Sequence, residues 1–217
     1  MNVSKLMLVI AMAIFLFSCG DDDESTSGIG STQSPMGEVG NTFSVSGFSG
    51  VSIRSASVTN LKDGVSTVSC SGSVSDDIVL AALQAVDADM IPGTISMYNN
   101  EVSADIKIKI TEGGAQSIFN DGTECTIINY NSGVGDKYSV KRGGKTLEAE
   151  VISKSTEDDY SWGGMFIKVM KVKNKSVVPG ISDVISIYNH RFGLVGLEIN
   201  FEDGSKKIID ITSSLTN

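Results

Sequence analysis

Beyond Asn41, apolar residues fall at every second position, in short runs broken by Gly, Asn and Asp. The clearest run is Val102 to Ile110. Val102, Ala104, Ile106, Ile108 and Ile110 share one face, and Ser103, Asp105, Lys107 and Lys109 share the other. That period of two belongs to a strand with one buried and one wet side. Thr42–Ser46, Val51–Thr59 and Val65–Val74 repeat the texture, diluted by serine. Three further pairs of runs flank turn words and predict hairpins. Ile118–Phe119 and Cys125–Tyr130 enclose Asn120-Asp121-Gly122-Thr123, and Lys137–Lys141 and Thr146–Ile152 enclose Arg142-Gly143-Gly144-Lys145. Leu194–Phe201 and Lys207–Ile211 enclose Glu202-Asp203-Gly204-Ser205, and Met165–Val172 forms one more strand.

One stretch has a helical period instead. Val79, Leu83, Val86 and Met90 recur at helical spacing behind a capping Ser75 and the acidic pair Asp76-Asp77, and Pro92-Gly93 closes them. They predict one helix near 76–90. The fold class is therefore mainly β, built from antiparallel hairpins as a sandwich, a barrel or an α+β sheet. Ile95-Ser96-Met97-Tyr98-Asn99 also returns as Ile185-Ser186-Ile187-Tyr188-Asn189, each behind a Pro-Gly pair. The echo fits either two duplicated halves, about 41–131 and 132–217, or chance.

The first 40 residues read differently. Lys5 precedes twelve apolar residues, Leu6 to Phe17, then Ser18-Cys19-Gly20 and the acidic run Asp21 to Glu24. Twelve helical residues rise about 18 Å, too short for a hydrocarbon core of about 30 Å, but the length of a signal-peptide apolar region. Leu16-Phe17-Ser18-Cys19 resembles the lipobox of bacterial lipoproteins. That resemblance implies removal of residues 1–18 and acylation of Cys19, which anchors the chain in a membrane. Gly20 behind the cysteine departs from an inner-membrane retention signal, and the acidic run resembles a surface-export signal. Outer-membrane attachment is the expectation, with the domain facing the periplasm or the exterior. From 19 to 40 the chain is acidic and rich in Ser and Gly, which predicts a flexible tether ahead of a β-rich domain at 41–217.

The formal net charge of −9 disfavours nucleic acid as a partner. With Cys19 acylated, Cys70 and Cys125 remain, and an exported chain favours a disulfide between them. No cofactor and no metal site is expected, because His190 is the chain's single imidazole. Any Ser-His-Asp or Cys-His site would need it, yet it sits in the turn word Asn189-His190-Arg191. The cluster with binding character is Tyr160-Ser161-Trp162-Gly163-Gly164, which holds the one tryptophan. An aromatic face in a polar loop can stack on a sugar or a peptide side chain. Tyr160 and Trp162 are thus the candidate ligand-binding residues, with Trp162 as an ordinary core residue the competing reading. The expected function is a non-catalytic binding or adhesion module for glycan or protein. A structural or assembly accessory of the envelope is the alternative.

Overall fold

The structure, a computed structural model, describes residues 29–46, 51–75, 88–176 and 180–214. It is a mainly β fold in which two antiparallel sheets enclose a shared core. The first sheet contains β2 (Val51–Lys62), β3 (Val65–Val74), β5 (Glu101–Thr111), β6 (Gly114–Ile118) and β7 (Glu124–Asn129), in that order. β3 runs along one edge of β5, while β4 (Gly93–Tyr98) and β6 share its other edge end to end. Alternation places Val102, Ala104, Ile106 and Ile108 of β5 inward and its charged residues outward, as the sequence pattern requires.

The second sheet has the order β1 (Phe43–Val45), β15 (Lys206–Ser213), β14 (Gly193–Phe201), β13 (Ile181–Asn189), β12 (Met170–Lys175), β9 (Lys145–Lys154) and β8 (Lys137–Arg142). A separate hairpin, β10 (Tyr160–Trp162) and β11 (Met165–Ile167), packs on its outer face. The expected single strand Met165–Val172 is therefore two, broken at Lys168-Val169. Four hairpins close through two-residue turns with both φ values positive: Asp63-Gly64, Asn99-Asn100, Gly143-Gly144 and Gly163-Gly164. This turn matches the right-handed twist of the strands it joins, which explains the Gly and Asn at these positions.

The sheets meet through a strand that changes partner. Around Asn41, Gly40 N–H donates to Val58 O (2.9 Å) and Val58 N–H donates to Asn41 O (2.8 Å), so this stretch pairs with β2. From Phe43 the chain turns away to pair with β15. The buried Asn41 side chain holds the junction, donating to Met36 O (2.9 Å) and accepting from Ser213 Oγ (2.7 Å). At another point Arg142 ties the sheets together. Its guanidinium lies 4.0 Å from the Phe119 ring centroid and donates to both oxygens of Asp121, at 2.6 and 2.9 Å.

Three sequence expectations change here. Residues 29–40 belong to the folded domain rather than to the tether. Ile29 and Met36 are buried, Ser34 N–H donates to Ile110 O (3.1 Å), Glu112 N–H donates to Thr32 O (3.0 Å), and Ser66 Oγ donates to Gly37 O (2.7 Å). Two isolated apolar residues suffice because their pockets come from distant strands. Gly113 lets the chain approach, since a Cβ there would stand 2.2 Å from Ile29 O. Most of the expected helix, residues 76–87, lies outside the described residues, and its described end, Ala88–Met90, is a single 3-10 turn. The proposed halves correspond to the two sheets, except that β1 joins the second. Their connectivity differs, because β13 and β15 flank β14 on opposite edges whereas β4 and β6 share one edge of β5.

Candidate functional site

Between the sheets lies a cavity of about 110 Å³. Its cause is a row of small side chains. Ala56 of β2, Cys70 of β3 and Ala104 of β5 are direct register partners and all line it. Their neighbours on the same inward faces, Val68, Ile106 and Ile108, are full-sized, so the wall recedes along this row. The opposite wall comes from Leu194, Leu197 and Ile211 of the second sheet. At one side Phe43, Val45 and Ile53 stand half-buried, where β1 has left β2 and the sheets fork apart. Interiors normally pack without such voids. At about 24 cal/mol per Å³, an unfilled space of this size costs about 2–3 kcal/mol.

The polar atoms of the wall are already committed. Tyr130 Oη donates to Asn189 O (3.1 Å), and the Tyr188 hydroxyl is hydrogen-bonded with Ser186. Burial pushes both phenols well above their usual range. Burial, and after it the Asp105 carboxylate, pushes the Cys70 thiol up to about 11, so it is a poor nucleophile at neutral pH. A sugar or amino acid placed here would lose its water without gaining partners, at several kcal/mol per polar group. The chemistry on offer is therefore the burial of hydrocarbon.

The residues singled out by sequence do not gather here, except Cys70. Cys19 lies outside the described residues. Cys70 is a free cysteine, so the expected Cys70–Cys125 disulfide is not formed. β5 and β6 intervene between β3 and β7, and the register offsets the two cysteines by four further residues along the strands. Three inter-strand steps of about 4.8 Å already far exceed the roughly 7 Å limit for bridged Cα atoms. Cys125 instead sits in an apolar cluster with Met90, Phe119, Val140 and Leu147.

Trp162 is not a platform either. Its side chain is 3 % exposed, its ring stacks 5.0 Å from that of Phe192, and Nε1–H donates to Ile211 O at 3.0 Å. The Gly163-Gly164 turn folds the ring back onto the second sheet, beside Ile187 and Val195. Tyr160 is half-buried against Gly196, with the Lys171 ammonium 5.7 Å from its ring centroid. The Trp162 ring offers no free face of the kind a glycan requires. His190 is exposed in the β13–β14 turn. Among the described residues, no group of three His, Cys, Asp or Glu is placed to hold a metal ion.

What sequence reading missed was the row Ala56, Cys70 and Ala104. Each is an ordinary small residue at an inward position of its own strand, and only the register brings them side by side. Comparison with family models, with curated proteins and with solved structures finds no match to this chain.

Proposed function

We propose that the chain is an outer-membrane lipoprotein, anchored through Cys19, whose β-sandwich is a non-catalytic binding module for an apolar ligand held between the sheets. The lipobox-like Leu16-Phe17-Ser18-Cys19 and the acidic run behind it support the anchor. The cavity supports the binding role, and it is the observation that carries this reading. A space lined almost wholly by apolar carbon costs stability when unfilled, and it fits a hydrocarbon better than the glycan or peptide side chain expected from Trp162. Folding of residues 29–40 into the domain shortens the leash. Ten residue steps, Cys19 to Ile29, reach at most about 35 Å, so the sandwich would work close to the membrane face.

Titration with the apolar fluorophore N-phenyl-1-naphthylamine tests the binding role on the chain from Gly20, which retains every residue of the described core. Saturable blue-shifted emission at one probe per chain is expected, and Ala104→Leu should weaken it at least tenfold by filling the cavity. Probe binding that Ala104→Leu leaves unchanged would place the ligand elsewhere. Fatty-acid labelling of the full chain tests the anchor, since Cys19→Ala should abolish label.

A further inference from the structure

The cavity's length carries an inference about what it holds. Ala104, Ile106, Ile108 and Ile110, successive inward positions of β5, all line it. From first to last they span about 20 Å at about 3.4 Å per residue. The lining also crosses the sheet, from Ile53 on β2 to Ile127 on β7. A compact void of 110 Å³ would measure under about 10 Å across, half the stretch of β5 that this one touches. The cavity is therefore long and thin. It runs diagonally beneath the first sheet and reaches half-buried residues at the fork between β1 and β2.

We propose that this channel holds one unbranched acyl chain with its headgroup left in water; the proposal rests on the cavity being a binding site. Width excludes a globular cage hydrocarbon, which would need the two sheets to part. Length matches the ligand: one leaflet of a hydrocarbon core of about 30 Å is about 15 Å deep, the reach of a membrane acyl chain. The committed hydroxyls of Tyr130 and Tyr188 leave nothing inside to receive a headgroup. A domain tethered within about 35 Å of its lipid anchor would also meet such chains constantly. A free fatty acid and a lysophospholipid present the same chain on different headgroups.

Competition against bound N-phenyl-1-naphthylamine separates the possibilities, using the chain from Gly20. Straight-chain carboxylates from octanoate to hexadecanoate should displace the probe about fourfold more tightly per added methylene, until the channel is full. Adamantane-1-carboxylate should fail to compete. Lysophosphatidylcholine competing as well as hexadecanoate would identify a lipid-borne chain, and hexadecanoate competing alone a free acid; either supports the proposal. Adamantane-1-carboxylate competing while the straight chains do not would overturn the acyl chain yet leave the cavity reading intact. Absence of probe binding altogether would remove both. Cys70 supplies a readout without mutation: its thiol lines the channel, so bound hexadecanoate should slow alkylation by an apolar maleimide at least tenfold in mildly alkaline solution. Unchanged alkylation with hexadecanoate bound would place the chain elsewhere.

Discussion

The two faces of the second sheet make an instructive pair. On its outer face Trp162, Phe192, Ile187 and Val195 pack closely under the β10–β11 hairpin, and the indole N–H has its acceptor. On its inner face Leu194, Leu197 and Ile211 look across a void toward Ala56, Cys70 and Ala104. The region with the rare aromatic residues is complete, and the one built from common aliphatics is not. A completed cluster contributes stability and leaves little to bind. An incomplete one gives up stability and leaves surface uncovered, and composition alone points to the packed face.

The comparison breaks first at Trp162. If the outer cluster is structural, Trp162→Ala should cost about 3–5 kcal/mol through lost burial and a new cavity, read by urea unfolding. Wild-type tryptophan emission should be blue-shifted and resistant to quenchers. A loss under about 1 kcal/mol, with quenchable emission, would return the ring to the surface and revive it as a binding platform.

Small-to-large changes sharpen the contrast, because their signs should differ between the faces. On the outer face a methyl group at Gly196 would stand 3.1 Å from Ile209 O and 3.3 Å from the Tyr160 hydroxyl. Gly196→Ala should therefore lower stability by about 1 kcal/mol, overpacking outweighing the entropy gained in the unfolded chain. On the inner face Ala104→Leu should raise it by about 1 kcal/mol while weakening the bound probe. Gains at both positions, or losses at both, would erase the difference in packing.

The sequence made the β5 alternation and the hairpins legible, since strand period and turn chemistry are local. The charged outward row of β5 and the Gly143-Gly144 turn stand where the pattern placed them. Long-range facts were not legible. Ile29 and Met36 looked stranded in a polar tether, because the carbonyl of Ile110 and the hydroxyl of Ser66 that hold their segment come from strands far along the chain. Cys70 and Cys125 read as a pair in the sequence, because the two strands that separate them are set by long-range pairing. Gly163-Gly164 behind Trp162 looked like an open loop, though it is a tight turn that presses the ring inward. The void is a property of register and volume, and no single strand announces it.

The smallest expected effect lies at neither face but where Arg142 ties the sheets together. The hydrogen-bonded Arg142 guanidinium, and after it the Thr123 N–H, hold the Asp121 carboxyl well below the usual carboxylate range. An unfolded aspartate titrates near its ordinary value of about 3.9. Above that pH both states are ionised and the contribution to stability is complete. As the pH falls through the ordinary value, the unfolded chain takes up a proton that the folded chain refuses. The contribution then shrinks until the folded carboxyl also protonates. Both partners border solvent, so water and salt screen the pair and the slope should be shallow. Asp121→Asn should remove this part of the acid loss while leaving the neutral-pH cavity binding untouched, read as urea midpoints between pH 6 and pH 3 beside probe titrations. An unchanged acid slope in the variant would assign that loss to other carboxylates, Asp203 among them, whose carboxyl the Ser205 hydroxyl and N–H also hold low. Weakened probe binding in the variant would instead mean that the Arg142 tie also sets the spacing of the sheets around the channel.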